Sequence, residues 1–241
     1  MSGRVPRFLR LQLSRVILVV AVVLLLPTIA VVERVRRGAG RLVIRRCVPA
    51  VARLCGVVFE VRAAPDPDDA QSCIFVPNHS SLLDIPAVLM ARPDVRFVAA
   101  AGLFHVPLLA AAMRALDTVP IERRRPERAR RQLEELASSA GDGAFRIVIF
   151  PEGALAPPGG RLPFKTGAFA LAIQAGVPVV PIAIHNTGRV LPPHTRLALR
   201  PGRVVVEVLA PVAVTGLGID DRGALRDQVS IVVQEALRTA R

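Results

Sequence analysis

An uncharged apolar run of seventeen residues, Val16 to Val32, lies near the N-terminus of the chain. A run this long must be buried, either in protein or in lipid. As a helix rising about 1.5 Å per residue it reaches roughly 25 Å, slightly less than the ~30 Å hydrocarbon core of a bilayer. No small-residue cleavage site follows it, and Arg34, Arg36 and Arg37 come directly after it, so an uncleaved anchor is favoured over a signal peptide.

The segment around this run predicts a membrane-embedded anchor of residues 1–62. Pro27 could bend the run into two short helices, and a second apolar stretch, Cys47 to Val61, could form the other arm of a hairpin. Arginines on both sides of the run leave the topology open. A piece rich in Pro and Asp, Ala64 to Ala70, predicts a linker into a globular domain of residues 63–241.

Short runs rich in β-branched residues alternate with helical stretches in that domain, which predicts an α/β fold with a mixed, largely parallel sheet flanked by helices. The predicted strands are Cys73 to Val76, Val95 to Ala99, Thr118 to Ile121, Arg146 to Phe150, Val179 to Ile184 and Val204 to Leu209. The predicted helices are Ile85 to Ala91, Leu103 to Leu116, Pro126 to Ser139, Thr166 to Ala175 and Arg222 to Arg241.

The composition narrows the classes of partner. A net charge of +13 favours polyanions such as anionic lipid headgroups, phosphate-bearing substrates or nucleic acid. Trp and Tyr are absent, so aromatic stacking platforms are scarce and no specific nucleic-acid binding is predicted. The three cysteines, at 47, 55 and 73, have no metal-ligand spacing, which predicts reduced packing residues and no metal site.

The segment from Asn78 to Asp84 carries the strongest chemical signal. It follows a predicted strand and precedes a helix, so a turn between them can bring His79 against Asp84. The carboxylate would then fix one ring nitrogen of the imidazole and leave the other free as a general base. Alternatively, Asn78 and Ser80 cap the helix, and the histidine and aspartate are ordinary polar residues. The other three histidines, at 105, 185 and 194, have no acidic partner at a useful spacing and stay outside the predicted site.

Five ordered blocks decide between these interpretations. Asn78 to Asp84 resembles the N-H-x4-D signature of the glycerophospholipid acyltransferase family, which includes 1-acylglycerol-3-phosphate acyltransferases. The later blocks are similar to Thr118 to Arg123, Phe150 to Gly153, Pro163 to Phe169 and Val179 to Ile182. The resemblance covers residues 73–191, about half of the chain.

The resemblance implies a fatty acyl transfer from acyl-CoA or acyl-ACP to the free hydroxyl of 1-acylglycerol 3-phosphate, giving phosphatidic acid. His79 would be the general base and Asp84 its orienting partner, backbone donors near the motif would stabilise the oxyanion, and no cofactor or metal would be bound. The membrane lipid acceptor, the acyl carrier and the membrane surface are the implied partners, and the catalytic domain would lie on the cytoplasmic face of the cell membrane. The implied substrate-binding residues are Asn78, Ser80, Arg123, Glu152, Gly153 and Lys165.

The chain departs from the family where threonine and arginine usually follow the Glu-Gly pair, because Ala154 and Leu155 stand there. We hypothesise that Arg161 supplies the lost charge. The change puts the acceptor in question, so another lyso-lipid, for example a lyso-ornithine lipid, is an alternative. A basic protein that binds membranes or nucleic acid without chemistry is the alternative from another class.

Overall fold

The computed structural model describes residues 7–36, 38–63, 72–122, 125–138, 146–193 and 199–239. Within these residues the helices are α1 (Arg7–Val35), α2 (Ala39–Leu54), α3 (Asp84–Ala91), α4 (Pro107–Ala115), α5 (Pro126–Ser138), α6 (Gly167–Ala175), α7 (Thr187–Val190) and α8 (Arg222–Thr239). The strands are β1 (Val57–Ala63), β2 (Cys73–Pro77), β3 (Arg96–Ala100), β4 (Val119–Ile121), β5 (Arg146–Val148), β6 (Val179–His185) and β7 (Gly202–Val208).

The seven strands form one sheet in the order β1-β7-β6-β2-β5-β3-β4. The five strands from β6 to β4 are parallel to one another, β7 is antiparallel to β6, and β1 is parallel to β7. This confirms the predicted mixed, largely parallel sheet. Every residue of β2 and β6 is buried, as expected for strands covered by helices on both faces.

Alternate side chains of β2 enter two different hydrophobic layers. Phe75 packs with Val88 and the α3 side of the sheet, whereas Ile74 and Val76 pack with Phe169 and the helices α6 and α8. The period of two along the strand therefore divides the core into one layer on each face. Both layers are needed to hold the carboxyl end of β2 in place.

Helices α1 and α2 form an antiparallel-type hairpin whose turn lies at Gly38, not at Pro27. The chain stays helical through Pro27, which corrects the predicted bend. Gly38 has φ 81°, and the Glu33 carboxylate accepts hydrogen bonds from the N–H groups of Gly38 and Gly40 at 2.9 to 3.1 Å. A left-handed residue and a carboxylate that satisfies free amides end the first helix here, eleven residues after the bend predicted at Pro27.

Helix α1 exposes a long apolar surface in the structure. Gln12–Val35 is long and apolar enough to cross a membrane, with a mean hydropathy of 2.9, and only 6% of that window is buried. Val23 and Leu24 are 61% and 62% exposed, whereas Ile29 is buried against the rest of the molecule. One side of α1 therefore packs on α2 and α4, and the other is an unpartnered apolar surface.

Strand β1 is the main element that the sequence analysis missed. Residues 57–61 were predicted as part of a hairpin arm, but Gly56 (φ 76°) ends the helical stretch and the β-branched residues after it pair with β7 along their whole length. The sheet therefore takes its edge strand from the segment that the sequence assigns to the anchor. The predicted linker, Ala64 to Ala70, lies outside the described residues.

Differences in the other elements are small. The predicted helix Leu103 to Leu116 is a 3₁₀ turn, Ala101–His105, followed by α4, because Pro107 starts a new helix at its first turn. The predicted strand Arg146 to Phe150 ends at Val148, and the next residues form the turn that enters the site.

Candidate active site

The site lies at the carboxyl edge of the sheet, where the strands β2, β5 and β6 end side by side. In open α/β sheets this edge is where ligands bind. Residues 78–84 follow β2, residues 150–153 follow β5, and residues 186–189 follow β6. Three segments far apart in sequence therefore meet around one turn.

His79 and Asp84 are in direct contact, as the spacing predicts. Nδ1 of His79 lies 2.9 Å from Oδ2 of Asp84, and the same oxygen accepts hydrogen bonds from the N–H groups of Ser80 at 2.7 Å and Ser81 at 2.8 Å. Asp84 is completely buried at the start of α3, so its carboxylate cannot turn away. Nδ1–H of His79 therefore donates to Asp84, and Nε2 stays free to accept a proton.

An aromatic ring packs against one face of the His79 imidazole. The ring of Phe150 stacks on His79 with 4.0 Å between centroids and 26° between planes, and Phe97 lies behind Phe150 at 6.4 Å. A flat apolar face restricts ring rotation and keeps water from that side of the base. Phe150 lies in the third block, but nothing in the sequence alone assigned its side chain to the site.

Glu152 holds the turn of residues 78–84, here called the catalytic turn after its proposed role, from within the protein. Its side chain is 4% exposed, Oε1 accepts the N–H of His79 at 2.8 Å, and Oε2 accepts the N–H of Leu162 at 3.2 Å. Burial raises the pKa of Glu152, while these two backbone hydrogen bonds act in the opposite direction. The carboxylate is thus a tether between two segments, and a bond to an acceptor hydroxyl stays a prediction.

Three backbone donors near the motif are engaged within the protein. The N–H groups of residues 79, 80 and 81 donate to Glu152 or Asp84. They build the turn, and stabilisation of the oxyanion by other backbone donors near the motif stays a prediction. The sequence could not show this, because Glu152 is 73 residues from His79.

Asn78 and Ser80 tie the turn to the neighbouring strand. The amide of Asn78 both accepts from the N–H of Ile184 at 2.7 Å and donates to its carbonyl at 3.0 Å. Oγ of Ser80 lies 2.9 Å from Oγ1 of Thr187, a fully buried residue that the sequence analysis did not single out. These polar groups hold β2 and β6 in register at the site, and their contact with substrate stays a prediction.

Lys165 and Gly153 are neighbours in the structure. Gly153 has φ 75°, and a Cβ at that position would lie 2.9 Å from Nζ of Lys165. The backbone N–H of Lys165 donates to the carbonyl of Pro151 at 2.9 Å. Glycine thus allows the turn its left-handed conformation and leaves room for the ammonium beside it. Arg123 lies outside the described residues; β4, which precedes it, ends at the same edge of the sheet.

His185 does have an acidic neighbour, which corrects the sequence analysis. Its Nε2 lies 3.5 Å from Oε2 of Glu207, brought there by the antiparallel pairing of β6 with β7. Burial lowers the pKa of His185, and the carboxylate only partly offsets this. Arg62, which also pairs with Glu207 at 2.9 Å, adds a smaller lowering of the pKa of His185.

A cavity of about 380 Å³ opens beside the catalytic turn. It contacts the turn through Asn78, Ser80 and Glu152, and its far side comes from the loop after β5 and from α7. This size is within the range of about 300 to 1,000 Å³ that small-molecule sites occupy. Two arginines line it, Arg161 and Arg189.

Comparisons with known proteins agree with this geometry. The family model described as Acyltransferase matches residues 48–185. The chain is 35% identical over 114 residues to a chloroplastic 1-acyl-sn-glycerol-3-phosphate acyltransferase of Brassica napus, covering 47% of this chain and 33% of that one. It is 28% identical over 174 residues to the 1-acyl-sn-glycerol-3-phosphate acyltransferase of Haemophilus influenzae, covering 70% and 72%.

The human 1-acyl-sn-glycerol-3-phosphate acyltransferase alpha is 31% identical over 167 residues, covering 66% of this chain and 56% of that one. The chain thus spans about a third of the Brassica relative and about half of the human one. The crystal structure of the 1-acyl-sn-glycerophosphate acyltransferase PlsC from Thermotoga maritima has the same fold, with a TM-score of 0.74 at 24% identity over 98% of this chain and all of that one. Since the family model covers more than half of the chain and includes the His79–Asp84 pair, the chain belongs to the acyltransferase family.

Proposed function

We propose that this chain transfers a fatty acyl group from acyl-CoA or acyl-ACP to the free hydroxyl of 1-acylglycerol 3-phosphate and so forms phosphatidic acid. The observation that carries the proposal is the 2.9 Å contact between His79 and a fully buried Asp84 at the ligand-binding edge of the sheet. Membership of the acyltransferase family and relatives that are named for this reaction support it.

The proposed reaction is a direct transfer. Nε2 of His79 removes the proton from the acceptor hydroxyl while that oxygen attacks the thioester carbonyl. The tetrahedral intermediate collapses, the carbon–sulfur bond breaks, and the imidazolium returns the proton to the leaving thiolate. The carboxylate of Asp84 stabilises the imidazolium between these two steps, and no covalent acyl-enzyme is needed.

Arg123 is the proposed contact for the acceptor phosphate, because a guanidinium binds a phosphate through two parallel hydrogen bonds. Lys165, next to Gly153, would add a second cation at the turn after β5. The place of the usual threonine and arginine is taken by Ala154 and Leu155, so an acceptor with a different headgroup remains the second candidate.

An acceptor panel tests the reaction. The purified full chain in detergent micelles would be given palmitoyl-CoA or palmitoyl-ACP and one of three acceptors: 1-acylglycerol 3-phosphate, lyso-ornithine lipid or lysophosphatidylcholine. We expect the product to be phosphatidic acid, with a kcat/KM at least about tenfold above the other acceptors, because their headgroups lack a phosphate monoester. Transfer only to lyso-ornithine lipid would show that this lipid, and not 1-acylglycerol 3-phosphate, is the acceptor. If no acceptor leads to consumption of the thioester, the proposed acyl transfer is refuted.

We further propose that α1 holds the site at the cytoplasmic surface of the cell membrane. Val23 is 61% exposed near the middle of the apolar stretch, so its replacement by arginine would place a charge within the hydrocarbon core. Such a charge costs about 2.5 to 3.5 kcal/mol on insertion scales. We expect Val23→Arg to move a large share of the protein from the membrane pellet to the soluble fraction.

Val35→Arg is the matched control, because Val35 is 83% exposed at the end of α1, where a long side chain reaches the interface. It should stay in the membrane fraction. If both variants sediment with membranes as the wild type does, insertion of α1 is not what holds the protein there.

A further inference from the structure

We propose that Arg161 and Arg189 form a second phosphate-binding site, at the cavity beside the catalytic turn. The site would take a phosphate group of the acyl acceptor or of the acyl carrier. This inference rests on the proposed acyl transfer, for which it assigns the residues that hold one substrate.

The two arginines come from separate segments of the chain. Arg161 lies on the loop between β5 and α6, and Arg189 lies on α7 directly after β6. Both side chains are exposed and both line the same cavity of about 380 Å³. The fold, not local sequence, therefore brings two guanidinium groups to one opening.

No acidic side chain of the described residues pairs with either arginine. In the described part of the chain, neither guanidinium is within ion-pair distance of a carboxylate. Glu152 is the one acid among the lining residues, and both of its oxygens already accept backbone hydrogen bonds. Burial lowers the pKa of His185, which favours its neutral form. The cavity therefore presents net positive charge to an incoming ligand.

Much of the remaining polar lining is hydrogen-bonded within the fold. The amide of Asn78 is bonded to Ile184, the hydroxyl of Ser80 to Thr187, and one N–H of the Asn186 amide to the carbonyl of Arg203. The two arginines are the cationic groups that line the cavity, and their donors are directed to no carboxylate of the described residues. A guanidinium has five N–H donors and matches the geometry of a phosphate, so two of them can satisfy most of its oxygens.

Three glycines, at 159, 160 and 188, let the cavity lie close to the catalytic turn. A Cβ at Gly188 would lie 3.3 Å from the carbonyl oxygen of Ser80, so α7 packs against the catalytic turn with no side chain between them. Gly159 and Gly160 on the opposite loop likewise add no side chain to the cavity. A phosphate held here is adjacent to Ser80 and Glu152, and Glu152 is hydrogen-bonded to His79 itself.

Single and double replacements of the arginines test the site in the full chain. We expect Arg161→Gln and Arg189→Gln each to raise KM for one phosphate-bearing substrate by about tenfold or more, with kcat nearly unchanged, since each removes charge-assisted hydrogen bonds from a bound substrate. Arg161→Lys should recover only part of the loss, because the ammonium keeps the charge without the paired donors. Arg238→Gln, an exposed arginine of α8 that does not line the cavity, is the matched control and should behave as the wild type.

The choice of substrates identifies the source of the phosphate. A rise in KM for 1-acylglycerol 3-phosphate, absent with the neutral acceptor 1-acylglycerol, assigns the site to the acceptor. A rise in KM for palmitoyl-CoA, absent with the phosphate-free thioester palmitoyl-N-acetylcysteamine, assigns it to the carrier. If both KM values of the double variant stay within about twofold of the wild type, or if only kcat falls, the site is refuted.

A binding measurement separates failure of this site from failure of the proposed reaction. Glycerol 3-phosphate and coenzyme A would be tested for raising the Tm of the wild type and of the double variant. If the wild type transfers no acyl group but either probe raises its Tm and not that of the double variant, the site stands and the reaction does not. If neither probe gives a shift that depends on the two arginines, the site is refuted.

Discussion

His79→Ala is expected to lower kcat for acyl transfer by about 10²- to 10⁴-fold, the usual contribution of a general base. Nε2 of His79 is the ring nitrogen left free by the contact of Nδ1 with Asp84, so its removal leaves the acceptor hydroxyl without a proton acceptor. The fold should survive, because the N–H of residue 79 still donates to Glu152 and only a partly exposed ring is lost. Initial rates with palmitoyl-CoA and 1-acylglycerol 3-phosphate measure the change.

His105→Ala is the matched control for this variant. His105 is exposed in the 3₁₀ turn after β3 and takes no part in the described site. Its replacement should leave kcat and KM as they are. Near-normal activity of His79→Ala, in a protein whose Tm is preserved, would refute the assignment of the base.

Asp84→Asn is expected to lower kcat by up to about 10⁴-fold, the loss seen when the aspartate of a Ser-His-Asp triad becomes asparagine. The amide has nearly the same shape but cannot stabilise the imidazolium that forms during transfer. Asp84 acts through His79 and so is a positioning residue. We therefore expect the effect mainly in kcat, with little change in KM for the acceptor.

The stability of two Asp84 variants separates the chemical role from the structural one. In Asp84→Asn the amide oxygen can still accept from the N–H groups of Ser80 and Ser81, but its NH2 takes the place of Oδ1, which is buried without a hydrogen-bond partner among the described residues, so Tm should fall moderately. In Asp84→Ala both donors lose their acceptor, at about 1 to 3 kcal/mol for each buried unsatisfied group, so Tm should fall clearly. Activity of Asp84→Asn within about tenfold of the wild type would contradict the proposed role of the carboxylate.

Much of this site could be predicted from local sequence. His79 and Asp84 are five positions apart between a strand and a helix, and the turn that joins these elements brings them to 2.9 Å. Gly153 and Lys165 were each implied by the family resemblance, and the structure places them side by side after one strand. In each case a short segment and the polarity of the sheet are enough, because side chains at the carboxyl ends of parallel strands share one edge.

Other residues needed the tertiary structure. The structural roles of Glu152 and Asn78 were not predicted: the first tethers the backbone of His79 and the second pairs with Ile184, while their contact with substrate stays a prediction. His185 was set aside for want of an acid, but Glu207 reaches it from the next strand. These contacts join residues 73 and 106 positions apart, or adjacent antiparallel strands, so they depend on strand order and register.

The sequence by itself determined most elements of this protein: an apolar N-terminal helix, alternating strands and helices, and a histidine beside an aspartate. The alternation of buried side chains along a strand and the geometry of one short turn depend on residues close together in sequence, so sequence patterns predict them. Only the tertiary structure decided that β1 closes the edge of the sheet and that Arg161 and Arg189 line one cavity. Such contacts depend on the order of the strands and on the positions of the loops in space, and local sequence patterns do not reveal that order.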